Sequence, residues 1–216
     1  MDNMKLEKEL DNVIQMIVKM AEQVEENLKN AFSIYQHYDE DKLDLINDDL
    51  VNLHERLIEE TCLTIMLRER PYSRDLRMVT GILQCVGDVE RLGDHAEDVR
   101  DFATKLKDEE HHQIKELDQV LEIVLKMVDD SILSFINRDI NLANQVIKQD
   151  DTVDDLYNRC LKLIIEGNEK GIYNSRFTVY TTLIVKYIER IADHAVNISE
   201  WVVYILSGFY KDTQIF

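Results

Sequence analysis

Glu90-Arg-Leu-Gly-Asp-His-Ala96 and Glu189-Arg-Ile-Ala-Asp-His-Ala195 each set a glutamate and an aspartate four residues apart, and the two segments are 99 residues apart in the chain. On an α-helix this spacing puts both carboxylates on one face, a turn apart, where like charges repel by roughly a few tenths of a kcal/mol. A bound cation would offset that repulsion. Carboxylate oxygens without cysteine suit hard or borderline ions: magnesium, manganese, iron, or zinc with water completing its shell. One helix supplies too few ligands, so a facing helix must contribute. Asp48 with Asn52, and Asp150 with Asp154, repeat the same four-residue spacing in the preceding helix of each half. The candidate ligands are therefore Glu90, Asp94, Glu189 and Asp193, supported by Asp48, Asp150 and Asp154.

Glu97, Asp98 and Asp101 extend the first acidic strip, and Asn197 and Glu200 follow the second; Asp98 and Asn197 join the candidate ligands. His95 and His194 come five residues after their glutamates and point off the strip, which favours hydrogen bonding over ligation. Gly93 and Ala192 are small enough to let a neighbouring helix or ion approach. A plainer use of the same residues is salt bridging between helices by Glu90 with Arg91 and Glu189 with Arg190.

The elements that position these groups come in duplicate. From Val89–Val99 to Ile188–Ile198 five of eleven residues are identical and four are close swaps; only Glu97/Val196 and Asp98/Asn197 differ outright. Leu10–Met20 returns as Leu117–Met127, and Asp48–Asn52 as Asp150–Asp154, in the same order and with offsets of 107 and 102. The chain is thus read as two related halves, 1–109 and 110–216. With one proline and six glycines in 216 residues there are few breakers, and the fold class is all-α. Apolar residues at three- and four-residue steps predict helices over about 5–37, 43–70, 75–107, 114–137, 140–168 and 173–208. Pro71 marks a stop and Ser73 a cap for the third helix. Long helices with short connections imply two elongated three-helix bundles, end to end or side by side.

Composition excludes several function classes. A net charge of −18 disfavours nucleic acid, whose phosphates are met mainly by Lys and Arg. Three widely spaced cysteines fit buried thiols in a reducing, cytoplasmic setting. Met1–Leu10 has no apolar signal core, and Trp201–Leu206 is too short to span a membrane. A di-metal oxidase would need Glu-x-x-His on two core helices, and Glu109 to His112 falls in the linker. No phosphate-binding glycine loop or activated nucleophile is present. The chain is expected to be non-enzymatic, the alternatives being a metal-dependent phosphoester hydrolase and a purely structural helical protein without metal.

Asp88-Val-Glu-Arg-Leu-Gly-Asp-His-Ala96, Tyr187-Ile-Glu-Arg-Ile-Ala-Asp-His-Ala-Val-Asn-Ile-Ser-Glu200 and Arg70-Pro-Tyr-Ser-Arg-Asp-Leu-Arg77 resemble the PhoU family over nearly the whole chain. The resemblance implies a cytoplasmic protein of two three-helix bundles, often a homodimer, whose acidic helices hold divalent or trivalent metal ions, including multinuclear clusters. It further implies an adaptor that couples the ATPase of a phosphate ABC transporter to a sensor histidine kinase. Such an adaptor negatively regulates the phosphate-starvation response and meets the membrane only through these partners. The metal role maps onto Glu90, Asp94, Glu189 and Asp193, then Asp48, Asp150 and Asp154. Asp98 stands where the second copy keeps Asn197, leaving the first site more acidic.

Overall fold

A computed structural model describes residues 2–110, 112–211 and 213–214. Six long helices dominate: α1 (Asp2–Gln36), α2 (Asp49–Arg68), α3 (Arg74–Lys105), α4 (Lys115–Asn137), α5 (Ile140–Glu169) and α6 (Ser175–Ser207). A 3₁₀ turn (Glu40–Leu45) precedes α2, and a two-residue antiparallel pairing of Phe209–Tyr210 with Thr213–Gln214 follows α6. The all-α expectation of six helices holds. His111, in the polar stretch between the halves, lies outside the described residues.

The second helix begins later than its apolar period predicts. Leu43 and Leu45 fall in the 3₁₀ turn, and Ile46 is extended. The cause is tertiary: Asn27 of α1 is fully buried, and its side chain donates to the Asn47 carbonyl (3.2 Å) and accepts from the Asn47 amide (3.3 Å). That clamp holds the link extended until Asp48, where α2 starts. The position 107 residues later is Ser134, which bonds its own helix at Ser131, and α5 runs ten residues longer than α2. Ser73 also departs from expectation. It precedes α3 at φ 57° and ψ −120°, outside the extended backbone that aims a capping hydroxyl, and makes no side-chain cap.

The halves lie side by side, with α3 packed along α6. Contacts march in opposite directions along the two helices: Phe102 with Tyr180, His95 with Tyr187, His194 with Asp88, Cys85 with Ile198. Around this seam α1 and α2 close the first bundle, α4 and α5 the second, and α1 also touches α4. Val86, Val89, Leu92 and Val99 of α3 and Ile184, Ile188, Ile191 and Ala195 of α6 are essentially inaccessible. Each such valine, leucine or isoleucine contributes about 1.5–3 kcal/mol by leaving water. Cys62, Cys85 and Cys160 are free and buried; burial pushes Cys62 and Cys160 up to about 12, which leaves them as unreactive thiols.

Candidate metal centre

The buried stripes of α3 and α6 turn the Glu-x-x-x-Asp strips away from the seam, toward the second helix of each half. In the first half, Asp48 at the start of α2 comes up against Asp94 and Glu97 of α3, and Glu90 faces Glu55 as well as Asp48. Burial, reinforced by Asp94 and Glu97, raises the Asp48 carboxyl to about 6. Glu90 is raised by burial and by Asp94 and Glu55, and Glu55 by burial and Glu59. Asn52 Nδ2 donates to Asp48 Oδ2 at 2.5 Å. The other oxygen, Oδ1, is inaccessible to water and has no hydrogen-bond partner.

The second half repeats this pattern on α5 and α6. Asp150 is raised to about 6 by burial, with Asp154, Asp193, Asp151 and Glu189 adding. Asp193 is raised by burial and Glu189. Here the fold supplies its own cation: Lys186 Nζ lies 2.6 Å from Glu189 Oε2 and over the Tyr157 ring. The position 99 residues earlier is Gly87, so the first half has no equivalent. Its compensation is weaker: Arg91 reaches Glu90 (3.5 Å) and Asp94 (3.0 Å) along α3, and Arg100 reaches Glu97 (3.1 Å). These arginines bridge within one helix, and Arg190 stacks on Tyr187, so the interhelical bridges considered from sequence do not form.

Gly93 explains how α2 comes so close. A Cβ built there would stand 2.7 Å from Asp48 Oδ1 and 3.2 Å from Val51 Cγ1. Gly93→Ala is expected to destabilise the protein by about 1–3 kcal/mol through overpacking, read by urea denaturation. Equal stability would mean that the Asp48 approach is not tight.

The motif histidines sit in the seam. His194 Nδ1 pairs with Asp88 Oδ1 at 2.8 Å, and Asn197 Nδ2 donates to the same oxygen at 3.2 Å. His95 pairs with Asp98 at 3.4 Å and packs edge-on to Tyr187, the counterpart of Asp88. The rings of His95 and His194 are 5.4 Å apart. Asp98 and Asn197 are therefore engaged at the seam and not gathered with the carboxylate strips. Glu200 pairs with Lys211, and Asp101 with Arg100. Glu55 escaped the sequence reading because its counterpart is Tyr157, so the repeat does not mark it.

Among the described residues, no three His, Cys, Asp or Glu side chains stand close enough to hold one ion as placed. In kind, the residues of the first cluster suit a cation: Asp48 Oδ1 is buried beside Gly93 without a hydrogen-bond partner, and Asp94, Glu97, Glu90 and Glu55 are the carboxylates around it.

The chain matches the PhoU domain twice, over residues 17–103 and 117–202. It belongs to the PhoU domain family. A PhoU homolog of Aquifex aeolicus, named as a phosphate-specific transport system accessory protein, is 34% identical over 190 residues, 87% of this chain and 86% of that protein. A similarly named homolog of Synechocystis is 31% identical, covering 94% of this chain and 91% of its own length. Among solved structures, PhoU from Pseudomonas aeruginosa superposes with a TM-score of 0.88 at 31% identity, covering 94% of this chain and 99% of that one. The phosphate transport regulatory protein PhoU from Streptococcus pneumoniae gives 0.89 at 26% identity, covering 96% and 100%. No helix among the described residues is long and apolar enough to cross a membrane.

Proposed function

We propose that this PhoU-family chain is a non-enzymatic cytoplasmic adaptor of phosphate uptake. It represses the phosphate-starvation response by coupling the ATPase of a phosphate ABC transporter to a sensor histidine kinase. The observation that carries this reading is the likeness, over nearly the whole length, to accessory proteins of the phosphate-specific transport system. Metal held by Glu90, Asp94 and Asp48 in one half, and by Glu189, Asp193, Asp150 and Asp154 in the other, neutralises facing acidic helices. Metal bound there would supply positive charge able to attract a partner's oxygen. The chain's own residues set the spacing: Gly93 admits Asp48, and Asn52 holds its second oxygen.

The test is co-purification. Tagged protein from phosphate-replete cells is expected to bring down the transporter ATPase and the kinase, and its deletion to switch on phosphate-starvation genes in rich phosphate. Unchanged expression in the deletion strain would reject the adaptor.

We propose that the adaptor self-associates through α2, which is apolar on both faces. Val51, Ile58, Cys62 and Ile65 face the bundle, while Leu50, Leu53, Leu57, Leu63 and Leu67 are between 43% and 78% exposed. The positions 102 residues later are Thr152, Asp155, Arg159, Ile165 and Glu169, so this leucine face is confined to one half. Its charges suit a second copy: antiparallel pairing about Ile58 and Glu59 sets Leu50 opposite Leu67, and Asp49 opposite Arg68. One helix face, about 27 Å long and about 10 Å wide, offers well under the roughly 800 Å² per partner of a standard interface, so the dimer is weak. Sedimentation equilibrium is expected to show concentration-dependent dimers that Leu57→Glu with Leu67→Glu makes monomeric; dimers persisting in that variant would place the interface elsewhere.

A further inference from the structure

The two halves differ at an arginine that the metal reading leaves unused. Arg176, near the start of α6, has its guanidinium satisfied: Nε donates to the Lys105 carbonyl at 3.0 Å and lies 3.4 Å from Glu109 Oε1. Its counterpart 99 residues earlier is Arg77 in the first turn of α3, and the counterpart of Glu109 is Gly208. The geometry keeps this correspondence: a Cβ on Gly208 would stand 3.5 Å from Arg77 Nη1 and 3.7 Å from Cζ. Where one half offers a carboxylate, the other offers a bare backbone. Arg77 Nε is buried and has no hydrogen-bond partner.

Two more arginines share the cleft. Arg74 lies one turn before Arg77 on the same face, at a position held by Tyr173 in the other half. Arg138 ends α4 in a left-handed conformation, φ 53° and ψ 43°. The three line a cleft of about 510 Å³ where the start of α1, the start of α3 and the end of α6 meet. Glu7, Asp11 and Asp75 also line it, yet among the described residues no carboxylate lies within 4 Å of any of the three guanidiniums. Three guanidiniums without a carboxylate partner therefore border one cleft.

We infer that the cleft of Arg74, Arg77 and Arg138 binds a small tetrahedral oxyanion of the phosphate type. A guanidinium presents parallel N–H donors that match two oxygens of a phosphate, and several such forks around one anion favour it over a monatomic ion. The opening turn of α3 adds backbone N–H groups and the positive end of its dipole. Glu7, Asp11 and Asp75 limit the attraction and select against extended polyanions. The site is remote from the Glu-x-x-x-Asp strips and does not depend on bound metal or on the adaptor reading.

The test is isothermal titration of the full chain with inorganic phosphate at constant ionic strength, with sulfate and chloride in parallel. Phosphate is expected to bind, sulfate to compete, and chloride to give no signal. Arg77→Gln is expected to weaken phosphate binding at least tenfold. Arg138→Asn, at an exposed helix end where asparagine tolerates the left-handed backbone, is expected to do the same with the melting temperature unchanged. Arg77→Lys, which keeps the charge and loses the fork, is expected to recover only part of the affinity. Absence of binding by the unaltered chain at about 10 mM phosphate would overturn the inference. So would full affinity in both arginine variants, or loss of binding on amide substitution of Glu90, Asp94, Glu189 and Asp193 alone, since phosphate would then sit at the acidic helices.

Discussion

Stripped of metal by a chelator, the variant Glu90→Gln, Asp94→Asn, Glu189→Gln, Asp193→Asn is expected to melt above the unaltered protein. In the unaltered protein these charges face Asp48 and Glu55 in one half and Asp150 and Asp154 in the other; Glu90, Asp94 and Glu189 are half-buried and Asp193 is exposed. Each i,i+4 pair costs a few tenths of a kcal/mol, and the cross-helix contacts add a solvent-screened amount, giving about 1–2 kcal/mol in all. For a chain of this length that is about 2–8 °C. Most of the gain is expected in the first half, because Lys186 already neutralises Glu189 in the second. A variant that melts lower than the metal-free parent would show that these carboxylates are held by favourable partners and not strained against one another.

Acidification is expected to have opposite effects on the metal-free and the metal-loaded protein. Asp48 and Asp150 hold their protons up to about 6, above the ordinary carboxylate value of 3.8. The folded chain therefore binds protons that the unfolded chain releases, and stability falls as pH rises from about 4 through about 6. Both carboxyls remain half-open to water, so screening reduces the effect to about 1 kcal/mol each. Glu90, Glu55 and Asp193 shift the same way. Metal reverses the sign, because its ligands must lose their protons: affinity is expected to fall as pH drops through 6. Urea denaturation between pH 5 and 7.5, with and without chelator, reads both slopes. Parallel slopes would contradict the shared use of these carboxylates.

The strongest sequence signals were those written twice. The repeat located α3 and α6, and their apolar period set the helix limits to within about two residues. Glycine at 93 was legible as room for a neighbour, and the five-residue step from Glu90 to His95 was legible as a turn away from the strip. What failed depended on side-chain pairings, distant in sequence for Asn27 with Asn47 and for Asn197 with Asp88, and local for Asp98 with His95. The late start of α2 follows from Asn27 gripping Asn47, which no local period records. Asp98 and Asn197 look like extensions of the strip, but the seam draws them to His95 and Asp88. The differences between halves carried as much information as the likenesses: Gly87 against Lys186, Glu55 against Tyr157, and Gly208 against Glu109.

The central claim is that the duplicated acidic helices hold metal, and elemental analysis tests it most directly. Protein purified without chelator and dialysed at neutral pH is expected to retain bound iron, zinc, manganese or magnesium, while the four-amide variant, with circular dichroism unchanged, is expected to retain none. A folded variant that carries the same metal as the parent would contradict the account.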